Sequence, residues 1–268
     1  MEFCKYQGAG NDFVIVDNMN LKISGIPELA ARLCDRRFGI GADGFILAQP
    51  SDAADVRMNF YNADGSEASM CGNGIRCFAK FVYDMGIVKK DDISVETGDG
   101  VKYVKVLESA PESTRVRVNM GTFDDRKNLK SCGFDVCSMH LGVPHGVVFF
   151  DTCGDGMKKL DKLAEGYGRE LEYAEEFAPQ RTNVNFVEII DSGHILCSTW
   201  ERGAGKTLAC GTGACSSAVA AHFEKGLDSS IEVTMPGGKV TVTIDEKEGR
   251  PLVYMEGSAV LTFKGEVL

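Results

Sequence analysis

The string Cys-Gly-x-Gly occurs twice, as Cys71-Gly72-Asn73-Gly74 and as Cys210-Gly211-Thr212-Gly213, 139 positions apart in a chain of 268 residues. An interval of about half the chain marks an internal duplication, because each copy then carries its own motif. Both strings open a helical pattern. Ile75, Phe78, Ala79 and Val82 line one face of a helix predicted over Asn73 to Met85, and a second helix is predicted over Thr212 to Lys225. The stops match too, since Gly86 lies 15 residues beyond Cys71 and Gly226 lies 16 beyond Cys210.

The surrounding elements repeat in order. In the first half, two short strands between Glu2 and Asp17 are broken by Gln7 to Asp12, and a helix over Pro27 to Phe38 is stopped by Gly39. Strands follow at Phe45 to Ala48 and Val56 to Tyr61, then a turn at Asn62 to Gly65, the motif helix, and strands at Ile93 to Thr97 and Val101 to Leu107. Past the midpoint come a strand at His194 to Trp200, a loop, the second motif helix, a strand, the turn Pro236 to Gly238 and another strand. The implied fold is α+β: two pseudo-symmetric domains, each with strands wrapped around a central helix and an active site in the cleft between them. The first domain is expected over 1–114 and carries Cys71, completed by a last strand near 258–268. The second is expected over 115–257 and carries Cys210.

Composition narrows the partners. A formal charge of -10 repels phosphate backbones and anionic lipid, so nucleic acid and membrane are excluded in favour of a small molecule. Met1 to Gly10 has no apolar leader core and no run of 18 apolar residues occurs, which places the chain in the cytoplasm. There, most of the ten cysteines are expected to be reduced. None shows Cys-x-x-Cys spacing, so no metal site is expected.

A cysteine at a helix start meets unpaired amides and a partial positive charge, which favour thiolate over thiol. A thiol pKa of about 8.5 can fall to about 3.5 to 7.5 in such a setting. Two such helix starts facing one carboxylate would stabilise the enolate-like state formed when the adjacent Cα loses its proton. One thiol then removes that proton as thiolate while the other delivers one to the opposite face, inverting the centre with no cofactor. Gly72 and Gly74, like Gly211 and Gly213, would let the ligand approach the backbone. The remaining cysteines, Cys77 and Cys215 included, read as packing residues.

Met70 to Cys77 and Glu201 to Gly213 closely resemble the two signature segments of the diaminopimelate epimerase family. Gly8 to Phe13, Phe60 to Glu67 and Arg181 to Phe186 resemble other segments of that family, in its order, so the resemblance spans nearly the whole chain. It implies a cofactor-independent isomerase that interconverts LL- and meso-diaminopimelate, with Cys71 and Cys210 as the acid-base pair. It further implies that the amides around Gly72, Asn73, Gly211 and Thr212 hold the reacting carboxylate and that Asn11, Asn62 and Asn183 hold polar groups of the substrate. Arg202 would clamp the distal carboxylate, while Glu201 and His145 tune the thiols and meet the substrate ammonium. Phe263 falls where the family can carry an aromatic at a dimer contact, which implies a homodimer. Two positions depart from the family pattern: Val143 replaces a substrate-contacting asparagine, and Gly44 stands where some members have glutamine.

Two lookalike motifs fail on context. Gly39 to Gly44 matches Gly-x-Gly-x-x-Gly but follows a predicted helix and precedes a strand, the reverse of the dinucleotide-binding order. Gly205-Lys206-Thr207 lacks the first glycine of a P-loop, which falls on Trp200. Two rival functions keep the paired cysteines: a racemase of another amino acid, and a redox switch or anion-binding module that closes a disulfide.

Overall fold

Strands dominate the computed structural model, which describes residues 1–246 and 249–267. In the first half they are β1 (Glu2–Gly8), β2 (Asn11–Asp17), β3 (Gly44–Gln49), β4 (Val56–Asn62), β5 (Glu67–Ala68), β6 (Asp92–Thr97), β7 (Gly100–Ser109) and β8 (Ser113–Gly121), with helices α1 (Ile26–Cys34) and α2 (Gly72–Asp84) between β2 and β3 and between β5 and β6. The second half continues with β9 (Asp124–Ser131), β10 (Phe134–Leu141), β11 (Val143–Phe149), α3 (Met157–Glu172), β12 (Asn183–Asp191), β13 (His194–Glu201), β14 (Gly205–Lys206), α4 (Gly211–Lys225), β15 (Ser230–Met235), β16 (Gly238–Asp245) and β17 (Leu252–Glu266). Residue contacts divide the chain into two units, Met1–Val118 with Glu256–Leu268, and Asn119–Met255. Leu268, at the end of the strand expected over 258–268, lies outside the described residues, as do Lys247 and Glu248 of the half expected over 115–257.

The two units repeat one strand grammar. In the first, β1 and β2 are antiparallel, β2 runs parallel to β3 across α1, β3 and β4 are antiparallel, and β4 runs parallel to β6 across α2. In the second, β10 and β11, β11 and β12 across α3, β12 and β13, and β13 and β15 across α4 follow the same sequence of directions. Both parallel pairs need a crossover, and in each case a helix supplies it. The register also repeats: Phe45 faces Tyr61 as Val184 faces Trp200, again at an offset of 139.

The motif helices are the most deeply buried. In α2 every residue from Gly72 to Val82 is buried, and the helix packs on β1, β2, β3 and β7. Such burial demands that charges be paired. Lys80 accordingly reaches Asp84 at 2.8 Å, Ala110 O at 3.0 Å and Thr114 Oγ1 at 3.1 Å, and Arg76 donates to Gly72 O at 3.2 Å. Helix α4 solves the same problem with small residues: Ala214 to Ala221 are all buried against strands of the second unit. The other two helices cover the outer faces. Ala30 and Leu33 of α1 pack with Val14, Phe45 and Leu47, and Leu160, Ala164 and Leu171 of α3 pack with Val184 and Phe186.

Two sequence expectations change. Helix α1 ends at Cys34, not at Phe38, because Asp35 turns to an extended conformation and its carboxylate accepts the amides of Arg37 and Phe38, both at 2.7 Å. That side-chain bonding competes with the helix for the same donors. Between residues 115 and 193 no element is expected by pattern, yet β9 to β12 and α3 lie there. Helix α3 carries Gly166 and Gly168, which lower its helix propensity although Leu160, Ala164 and Leu171 form a regular buried face. Among the described residues no helix is long and apolar enough to cross a membrane.

Candidate active site

Each motif cysteine is the N-cap of its helix. Cys71 has φ -137° and ψ 120°, and Cys210 has φ -119° and ψ 113°, both extended. Each Sγ accepts the third helical amide, Gly74 N on Cys71 and Gly213 N on Cys210, at 3.4 Å in both cases. The thiol thus occupies the place of the usual serine or aspartate cap oxygen, at the positive end of the helix.

The glycines of the motif serve packing. A Cβ on Gly74 would stand 3.3 Å from Ile46 Cδ1 and 3.2 Å from Cys71 Cβ, and one on Gly213 would strike Asn185 Oδ1. The sequence leads one to expect ligand access as the reason for Gly74 and Gly213. The observed reason is that each helix start lies directly on the strands of its own unit.

In the first unit, Asn73 is buried and its Nδ2 donates to Asn11 Oδ1 at 2.5 Å, while Asn11 Nδ2 donates to Asp43 Oδ2 at 3.0 Å. Asp43 is held in turn by Arg36, which also pairs with Asp12. Asn11 is therefore brought to Asn73, two residues from Cys71 in the chain, and both are oriented by one charge network. Asn62 ends β4 opposite Gly44, and its amide donates to Ser66 Oγ at 3.0 Å within its own turn. Cys71 itself is half-buried.

The second unit presents a more polar setting. Glu201 ends β13 at the position that Asn62 holds in β4; its carboxylate stands near enough to Cys210 to act on the thiol through its charge, and it accepts a hydrogen bond from Thr207 Oγ1 at 2.6 Å. Arg202 follows on the turn, where its backbone amide donates to Asn183 Oδ1 at 2.7 Å and its guanidinium to Gln180 O at 2.6 Å. Asn183 lies next to His145 in the parallel β11–β12 register. Thr212 Oγ1 stands 3.5 Å from Cys210 Sγ, and Gly211 opens the buried first turn of α4. Val143 starts β11 opposite Leu141 and brings no polar side chain.

The thiol pKa expected from the helix start is reversed at Cys210. Burial pushes the thiol well above its ordinary value and the Glu201 carboxylate pushes it further, against smaller pulls from the Thr212 hydroxyl and the Gly213 amide. Desolvation of a buried thiolate outweighs the helix field. Glu201 is raised as well, again by burial first, so each of the two buried groups disfavours its charged form. Glu201→Gln removes the negative neighbour and is expected to lower the Cys210 pKa. Thiolate ultraviolet absorbance against pH, in a Cys71→Ser background, measures it; an unchanged or higher pKa would sink this assignment.

Residues without any sequence signal hold the second half-site in place. Glu172 of α3, almost fully buried, accepts from Trp200 Nε1 at 2.8 Å, Gly203 N at 3.1 Å and Arg181 Nη1 at 3.0 Å, fixing the turn that carries Glu201 and Arg202. Asn185 and Thr199 form a buried cross-strand pair, with Thr199 Oγ1 donating to Asn185 Oδ1 at 3.0 Å. Their partners lie 9 to 31 residues away in sequence, so no local pattern announces them.

Fold and half-sites define a duplicated protein in which each repeat supplies one cysteine-capped helix. Solved structures share this fold over essentially the whole chain. A phenazine biosynthesis protein of the PhzF family from Bacillus anthracis superposes with a TM-score of 0.77 at 17% identity, covering 100% of this chain and 99% of that one. A probable proline racemase from Agrobacterium radiobacter K84 does so with a TM-score of 0.67 at 16% identity, covering 100% and 92%.

At the level of sequence the likeness is much closer. The family described as Diaminopimelate epimerase matches residues 3–124 and 137–262. The Diaminopimelate epimerase of Clostridium perfringens is 41% identical over 263 residues, covering 92% of this chain and 93% of that protein. The one from Desulfovibrio desulfuricans is 40% identical over 290 residues, covering 99% and 98%. The chain belongs to the diaminopimelate epimerase family.

Proposed function

We propose that the chain interconverts LL- and meso-diaminopimelate by removing the Cα proton with one thiol and returning a proton to the opposite face with the other, a step in the formation of lysine and peptidoglycan precursors. The observation that carries the reading is the matched pair of cysteine N-caps, Cys71 and Cys210, at one topological position in two repeats. Inversion without a cofactor needs a base and an acid of the same kind on two faces, and a duplicated helix start supplies them.

The assignments follow the half-sites. The first-turn amides of α2 and α4, around Gly72, Asn73, Gly211 and Thr212, take the reacting carboxylate, whose charge matches the positive helix ends. Glu201 holds the Cys210 proton when that thiol is the acid and receives it when the thiol must be the base. Asn11, Asn62 and Asn183 orient the substrate's polar groups, and Arg202 takes the distal carboxylate in a forked pair. His145 acts beside Cys210. The finer architecture, α+β domains of 1–114 and 115–257 with strands around a central helix and a reaction cleft between halves, belongs to this proposal. So do a cytoplasmic location and a homodimer, the latter supported by Phe263, which is 45% exposed on β17 and edge-on to Phe3 at 5.9 Å.

Incubation of the reduced protein with LL-diaminopimelate in D2O tests the reading. Meso product carrying one Cα deuterium is the expected result. Absence of both product and exchange would reject the substrate, and Val143 is the position at which a search among other amino acids would then begin.

A further inference from the structure

Three polar side chains, His145, Asn185 and Thr199, are packed together out of contact with solvent beneath the first turn of α4. Asn185 Nδ2 lies 3.2 Å from His145 Nδ1 and 3.2 Å from Gly146 O, while Asn185 Oδ1 accepts from Thr199 Oγ1 at 3.0 Å. A backbone carbonyl can only accept, so the amide nitrogen must face Gly146. The flipped amide would set oxygen against oxygen there and leave Thr199 facing an NH2 group. With one amide hydrogen on Gly146 O, the other points at His145 Nδ1, which therefore carries no proton.

We propose that Asn185 is a positioning residue for the epimerisation: its amide locks His145 as the neutral tautomer protonated on Nε2, so that His145 offers the bound substrate a donor for a carboxylate oxygen. The inference rests on the functional reading above and adds a residue to it. An imidazole fixed in this way cannot accept a hydrogen bond from the substrate ammonium, so that part of the expectation for His145 is withdrawn. Nε2 is buried and has no hydrogen-bond partner among the described residues. An unsatisfied buried donor costs about 1 to 3 kcal/mol, and a folded protein tolerates one where a ligand uses it.

The first unit supplies the control. Its register places Ile46 opposite Phe60 where the second unit pairs Asn185 with Thr199, and Phe13 beside Gly44 where the second pairs His145 with Asn183. The same fold is thus built with an apolar trio under the other cysteine-capped helix, and the polar trio is not a requirement of folding. The charged neighbours work in the same direction as the lock. Burial first, then His140 on β10 and Arg202, hold His145 down to about 3, so it stays neutral throughout the working range.

Histidine-selective ¹⁵N NMR reads the tautomer directly, with four histidines to assign. Wild-type His145 is expected to show protonated Nε2 and unprotonated Nδ1, unchanged across neutral pH. Asn185→Asp gives Nδ1 a carboxylate to donate to, so the ring is expected to gain an Nδ1 proton and to titrate at higher pH, with kcat about 10- to 100-fold lower and KM changed less. Asn185→Leu mimics Ile46 of the first unit and is expected to fold and to mix the two tautomers. A wild-type ring protonated on Nδ1 would overturn the lock, as would an unaltered ring signature in both variants. Unaltered kcat in a variant with an altered ring would overturn its part in the reaction. The wild-type spectrum requires no substrate, so the expected tautomer with no turnover of diaminopimelate would instead reject the assigned reaction.

Discussion

Cys71→Ser and Cys210→Ser are each expected to lower kcat/KM for epimerisation at least about 10³-fold, roughly 4 kcal/mol of transition-state stabilisation. A hydroxyl is too weak an acid and its alkoxide too rarely present to replace either thiol, although it can keep the N-cap bond to Gly74 or Gly213 and so preserve the fold. The two variants are expected to differ in what survives. Removing the acid leaves the base on the other face intact, so each variant should still exchange the Cα proton of one stereoisomer with D2O and return it without inversion. Mass spectrometry of recovered substrate, beside chiral separation, distinguishes exchange from inversion. If either variant inverts the centre at near the wild-type rate, the two-thiol mechanism is wrong. A redox switch makes the opposite prediction, since it has no exchange to lose.

Arg202→Ala is expected to lower kcat/KM for diaminopimelate about 10²- to 10³-fold, because an anionic group would lose a forked donor in a partly buried site. Asn183 on β12 holds the Arg202 backbone at 2.7 Å, and Gln180 O holds its guanidinium at 2.6 Å, so the side chain is placed before any substrate arrives. Less ordering is then required on binding, and the loss should fall on KM more than on kcat. Arg202→Lys should recover little, because a point charge cannot reproduce the planar fork. Steady-state kinetics with diaminopimelate and with an amino acid lacking the second carboxylate gives the control. An equal loss for both substrates would remove Arg202 from the distal end.

The electrostatics at Cys210 bear on both results. Glu201 stands on the register position that Asn62 occupies in the first unit, so the second repeat puts a carboxylate beside Cys210 from a position where the first repeat carries an amide. The motif therefore does not by itself set the titration of its thiol. A helix N-terminus biases a thiol toward thiolate only where water still solvates the anion. At Cys210 burial and Glu201 reverse the bias.

Much of this was readable from the chain alone because it is local. The Cys-Gly-x-Gly strings, the helices that they open and their matched stops lie within a few residues of one another, and the 139-residue interval carries the duplication. Helix periodicity and turn chemistry act over one or two turns, so motif, helix and family resemblance were all legible. The end of α1 was not, because the Asp35 carboxylate competes for amides in a way that periodicity does not register. Helix α3 was not legible by propensity, because Gly166 and Gly168 interrupt it even though its apolar face is regular.

Tertiary structure decided everything that depends on which strands become neighbours. The Glu172 bonds to Trp200 and Gly203, the pairing of Asn185 with Thr199 and the seating of Gly213 on Asn185 join residues distant in sequence. The sequence could therefore identify two cysteines suited to acid-base chemistry at helix starts, since that property belongs to a single turn of helix. It could not say that one of them would be buried beside a carboxylate and held as a thiol, because desolvation and charge pairing act through space, between groups that only the folded strands bring within hydrogen-bonding distance.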